Sequence, residues 1–129
     1  MKPDAAAFLD KGREALAKAE GMLDRWPDEA GREAYLAGLH ATQALIVERT
    51  GEIIKRHHGV QRELERLTKD DARIDMELRA FLGRTYQLKA IADYLTGLSS
   101  QVSPELATEA IATARRFVAI MVALIEGQP

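Results

Sequence analysis

Apolar residues recur along this chain every three or four positions and nowhere alternate strictly, a pattern that predicts helices and no strands. In the first segment Phe8, Gly12, Ala15, Leu16, Ala19, Met22, Leu23 and Trp26 share one face. Asp4 stands where an N-cap belongs and Pro27 where the helix must stop. A second helix is expected from Asp28, as N-cap, to about Thr50, before Gly51. Its stripe is Tyr35, Leu39, Thr42 and Ile46, flanked by Leu36, Ala44, Leu45 and Val47. Residues 51–74 are less regular. GEIIKRHHG reads as one turn or a short helix broken at Gly59, and Val60, Leu64 and Leu67 mark a short helix after it.

A fourth segment, about 74–96, places Leu78, Phe81, Thr85, Leu88, Ala92 and Leu95 along one seam, with Gly97 suited to the C-cap. The last opens at Ser103-Pro104-Glu105, a capping hydroxyl followed by proline at the first helical position. Its apolar face is wide: Leu106, Ala110, Ala114, Phe117, Val118, Met121, Leu124 and Ile125. Connections are short, so successive helices should run antiparallel. The expected architecture is all-α, one antiparallel bundle of about five helices spanning residues 1–129. The apolar run FVAIMVALI in the last helix is more than one face needs, which predicts a homodimer.

Composition narrows the chemistry. With 129 residues the chain fits one domain that can bury a core without metal or crosslinks. It has no cysteine, which excludes disulfides, thiol catalysis and cysteine zinc sites. No apolar run reaches membrane-span length, and acids interrupt the N-terminal apolar pattern, so neither a span nor a signal peptide is read; a cytoplasmic protein is expected. Aromatics make up 5% of residues, too few for a broad base-stacking platform. Net charge is −2, which gives nucleic acid no overall attraction. Between residues 49 and 62, however, Arg49, Lys55, Arg56 and Arg62 face one acid, Glu52, with His57 and His58 beside them. A phosphate would meet the chain here first.

Three stretches, in order, resemble small prokaryotic members of the HEPN domain family. Arg32-Glu-Ala-Tyr35-Leu-Ala-Gly-Leu-His40-Ala-Thr-Gln-Ala-Leu45 is similar to the family's tyrosine-rich "YYA…FHAA…LL" helix. Lys55-Arg56-His57-His58-Gly59-Val60 is similar to its "K-x-H-x-G-[VIL]" segment. Tyr86-Gln-Leu88-Lys89-Ala-Ile-Ala92-Asp93-Tyr94 resembles its "Y-x-L-R-x-x-A-D-Y" element. The resemblance implies a bundle of four to five helices, usually dimeric. Some members are metal-independent endoribonucleases, often toxins of toxin–antitoxin pairs with a nucleotidyltransferase-like protein as partner. Others are thought to bind nucleotides or nucleic acid without cutting.

The cutting members carry an arginine, four to six residues, then a histidine. The histidine exchanges protons with the ribose 2′-hydroxyl or the leaving oxygen, and the arginine stabilises charge on the phosphorane. This chain departs from that spacing. Seven residues separate Arg32 from His40, and seven separate Arg49 from His57. Lys89 stands where relatives often have arginine, without its guanidinium fork, and Asp93 follows four residues on.

Two chemical readings stay open for each candidate. Tyr86, Lys89 and Asp93 share one side of their helix, either lining a cleft that faces His40 or forming a lysine–aspartate pair under a snorkelling tyrosine. His40 is either an acid/base or phosphate group or a core-edge histidine. Lys55, Arg56, His57 and His58 grip phosphate, with Gly59 allowing close approach, or form a solvated turn with a histidine packed under the short helix. The expected function is a module that binds nucleotide or RNA, or docks a nucleotidyltransferase-like partner. Its ligand candidates are Tyr35, His40, Lys55, Arg56, His57, Arg84, Tyr86, Lys89 and Asp93. The alternatives are an endoribonuclease using His40 or His57 with Lys89, Arg84 and Tyr86, and a ligand-free adaptor. No cofactor or metal site is expected, because no ligand spacing is present.

Overall fold

In the computed structural model, residues 1–94 and 101–127 are described. They form five helices: α1 Pro3–Met22, α2 Pro27–Thr50, α3 His57–Thr68, α4 Met76–Tyr94 and α5 Pro104–Ile125. No strand occurs among the described residues. None of the described helices is long and apolar enough to cross a membrane.

The centre of the molecule is α2, which packs against each of the other four helices. Its composition makes this possible. Ala30, Gly31, Ala34, Ala37, Gly38, Ala41 and Ala44 are all buried, and their small side chains let neighbouring backbones approach from several sides. On the α4 side, a Cβ at Gly38 would overlap the ring of Phe81 and lie 3.2 Å from Leu82 Cδ2. On the α1 side, a Cβ at Gly12 would lie 3.0 Å from the carbonyl oxygen of Ala37. Phe81 in turn stacks on Phe117 of α5, with ring centroids 4.9 Å apart, so one aromatic pair joins α2, α4 and α5.

The helices begin elsewhere than their acids suggest. Asp4 and Asp28 each fall inside the first turn, because Pro3 and Pro27 take the N-terminal positions. Asp28 does a different job: its carboxylate accepts the backbone N–H of Val102 at 2.6 Å, tying the approach to α5 onto α2. Pro27 thus opens α2; α1 has already ended at Met22. Gly51 closes α2 in the left-handed conformation, φ 78°, where glycine has no steric cost, and its N–H donates to Val47. Ser103 caps α5 as expected, accepting from Leu106 N.

Three apolar expectations need correction. Trp26 is 53% exposed, with the Arg25 guanidinium 5.4 Å from its ring centroid, and Ala5 and Leu9 are buried in α1. Leu106 is 49% exposed, because the buried face of α5 begins with Ala107. Gly59 does not break a helix, since α3 runs unbroken from His57 to Thr68. A first turn tolerates glycine because its N–H groups lack intrahelical partners anyway. The α4 seam holds at Leu78, Phe81 and Thr85, while Leu88 and Ala92 are half-buried. Leu95 and Gly97 lie outside the described residues.

Candidate functional site

Three aromatic rings meet where α2, α4 and the start of α3 converge. Tyr35 projects from α2 and is 2% exposed. Its hydroxyl shares a 2.8 Å hydrogen bond with Nδ1 of His57, the first residue of α3. The His57 imidazole lies flat on the Tyr86 ring of α4, with centroids 3.9 Å apart and planes 10° from parallel. Tyr35 and Tyr86 are themselves 5.4 Å apart, and His58 meets His57 edge-on at 5.2 Å. Although the chain is poor in aromatics, two of its three tyrosines are gathered here.

Burial, and then the neighbouring His58, push His57 below its ordinary pKa, so its imidazole is neutral at pH 7. Burial, and then Tyr86, push the Tyr35 phenol far above its ordinary value, so it keeps its hydrogen. A neutral imidazole beside a phenol that cannot ionise is a positioned proton acceptor or hydrogen-bond partner, and carries no fixed positive charge.

Next to the rings lies an ion-paired group. Asp93 on α4 accepts from Lys89 Nζ at 2.6 Å and from Arg32 Nε of α2 at 2.8 Å. The Lys89 hydrogen bond, with that of Arg32, holds the Asp93 carboxyl below the usual carboxylate range, so it cannot act as a proton donor near neutrality. Lys89 Nζ also lies 5.4 Å from the Tyr94 ring centroid. Lys55, Arg56 and Arg84 are exposed and form no ion pair among the described residues. Lys55 and Arg56 immediately precede α3 and therefore flank His57 in the chain.

His40 is not part of this cluster, and the expected cleft between it and Tyr86 does not form. Five residues beyond Tyr35, it lies roughly 140° further around α2. There it stacks on Phe8 of α1 with centroids 6.3 Å apart. Its Nδ1 is 2.8 Å from Gln43 Oε1, and Gln43 Nε2 donates to the carbonyl of Ile54. His40 faces a groove of about 260 Å³ lined also by Lys11, Glu14, Lys18, Glu33 and Leu36. The histidine opposite Tyr86 is His57.

Arg32 is the member that sequence reasoning left out of the cleft. A signal was present: it precedes Tyr35 by three residues, on the same face of α2. Elsewhere, a wide depression of about 580 Å³ at the end of α3 and the loop after it is also rich in charge. Its arginines are paired, Arg66 with Glu63 and Arg73 with Asp71, and it lies apart from the three rings. Among the described residues no group of three or more His, Cys, Asp or Glu could hold a metal ion.

The fold is an all-helical bundle that gathers Tyr35, His57 and Tyr86 beside the ion-paired Arg32 and Lys89; sequence comparison supplies the family. The model of the HEPN domain matches residues 5–125, and the chain belongs to that family. No curated protein matches the chain.

Proposed function

We propose that this HEPN chain is a binding module that takes a nucleotide or a single strand of RNA along the seam between α2 and α4, called the cleft below. The observation that carries the reading is the meeting of Tyr35, His57 and Tyr86 from three helices beside Arg32 and Lys89. Tyr86, 39% exposed, offers apolar ring surface to a base. Lys55, Arg56 and Arg84 offer charge to phosphates. In keeping with the family resemblance, the module works as a cytoplasmic homodimer beside a nucleotidyltransferase-like partner, in the manner of a toxin–antitoxin pair. Retention of a short oligouridine RNA tests the reading. Binding should weaken steeply between about 50 and about 200 mM salt, and Tyr86→Ala with Lys89→Ala should remove it. No retention at low salt by folded protein would leave the ligand-free adaptor.

A second reading is favoured by one observation, the hydrogen bond that orients a neutral His57. In it, His57 Nδ1–H donates to the Tyr35 oxygen while Nε2 accepts the 2′-hydroxyl proton. The 2′-oxygen bonds to phosphorus, the bond to the 5′-oxygen breaks, and that oxygen takes the proton back from His57 or from water, with Lys89 and Arg84 stabilising the phosphorane and Tyr86 positioning the strand. Incubation of a structured RNA in EDTA separates the two. Cleavage by wild type that His57→Ala loses establishes the nuclease; intact RNA with retained binding leaves the binding module.

A further inference from the structure

A carboxylate in the last turn of a helix faces the negative end of the helix dipole. A lysine placed four residues before an acid is the weaker order for a helical ion pair. Asp93 goes against both preferences: it sits in the last turn of α4, with Lys89 one turn before it. What favours it there is a pair of cations from two different helices. One oxygen, Oδ1, accepts from Arg32 Nε on α2; the other, Oδ2, accepts from Lys89 Nζ on α4.

Two oxygens of one anion bridging an arginine and a lysine is also how a phosphate group is held. We infer that Arg32 and Lys89 form an anion subsite for the phosphate of the cleft's ligand, and that Asp93 occupies this subsite with its own carboxylate in the unliganded protein. The inference rests on the binding reading above and adds a competitor to it. The Arg32, Lys89 and Asp93 side chains are 33%, 23% and 22% exposed, so the cations are reachable from solvent. Arg32 is shared between two acids, its Nη1 lying 3.5 Å from Glu33 Oε1, so Asp93 holds only part of its guanidinium. An entering phosphate takes over hydrogen bonds that Asp93 now receives. The carboxylate thus sets a threshold: weak anions fail to displace it, while a phosphate whose base is already seated against Tyr86 gains from proximity.

Titration with inorganic pyrophosphate at low salt tests this directly. Asp93→Asn should bind pyrophosphate about fivefold more tightly than wild type, the scale of one half-exposed ion pair. Asp93→Asn with Lys89→Met should lose the gain. Unchanged or weaker affinity in Asp93→Asn that is folded by circular dichroism would overturn the inference, and Asp93 would then be a clasp between α2 and α4. Lys89→Met alone gives an independent reading should Asp93→Asn not fold: affinity falls about fivefold if Lys89 belongs to the subsite, and a value equal to wild type counts against it. Oligouridine RNA in the same titrations separates this inference from the function. RNA binding by wild type, with no pyrophosphate gain in Asp93→Asn, keeps the function and overturns the subsite. A pyrophosphate gain without any RNA binding keeps the subsite and overturns the RNA reading.

Discussion

Two faces of α2 each carry a polar cluster centred on a histidine, and the two are made differently. On the α1 face, His40 is one link in a closed chain of hydrogen bonds. Gln43 uses its amide hydrogens on the Ile54 carbonyl, so its oxygen faces His40, and Nδ1 must donate to it. That chain fastens the 51–56 segment to α2. Glu14 and Lys18 in the groove outside neutralise each other at 3.3 Å. On the α4 face, His57 is stacked and buried enough to stay neutral, and exposed cations that have no partner among the described residues lie near it in the chain. The difference teaches that residue type alone does not tell a histidine tied into a hydrogen-bonded chain from one stacked between tyrosines near those cations. What the other ring atoms meet does.

The largest test of the comparison acts through the glycines that let each face close. Gly38→Ala drives a methyl into the Phe81 ring, and Phe81 is itself wedged on Phe117. Since α4 also carries Tyr86, Lys89 and Asp93, the substitution should destabilise the protein by about 3 kcal/mol in urea unfolding and disturb the α4 cleft most. Gly12→Ala meets backbone atoms of α2 at 3.0 and 3.2 Å, a tight fit without outright overlap. It should cost closer to about 1 kcal/mol and leave RNA retention intact. Equal costs for the two, or loss of retention in Gly12→Ala alone, would erase the asymmetry drawn between the faces.

A smaller effect separates the histidines themselves. His40→Ala leaves the oxygen of Gln43, a residue only 4% exposed, without its partner. The expected cost is about 1–2 kcal/mol of stability, with RNA retention at the wild-type level. His57→Ala should show the reverse ranking, with retention falling by more than stability does. If His40→Ala abolishes retention in folded protein, the α1 groove and not the α4 cleft holds the ligand.

These contrasts also mark how far the sequence could be read. The five helices were legible because an apolar period of three to four residues survives in every one, even in α2, where burial extends well beyond a single stripe. The starts of α1 and α2 were not, because Asp4 and Asp28 look like caps and only the backbone shows that Pro3 and Pro27 precede them in the helix, whereas the Ser103 cap of α5 was. Tyr86, Lys89 and Asp93 were legible as one face of α4, since helical spacing alone puts them there. The partner across from them was misassigned to His40. Choosing between His40 and His57 requires the path of residues 51–56, a segment without periodicity whose position is set by Gln43 and by contact of Ile54 with Gly59. Arg32 was missed for a related reason: an arginine on a polar edge of a helix looks solvated until the opposing carboxylate is in place.

The smallest expected effect is the response of the α4 cluster to acid. In the folded protein His57 has a pKa below its ordinary value of 6.5, caused first by burial and then by His58. The unfolded chain therefore binds a proton at His57 more readily than the folded one. Stability from this group is fully present above pH 6.5 and declines as pH falls from there through the lower folded value, below which it falls no further. The urea midpoint of wild type should accordingly drop between about pH 7 and about pH 5, and His57→Gln should flatten part of that drop. If His57→Gln leaves the curve as steep as wild type, the Tyr35–Tyr86 enclosure does not hold His57 below its ordinary value, and the neutral imidazole on which the nuclease reading depends loses its physical basis.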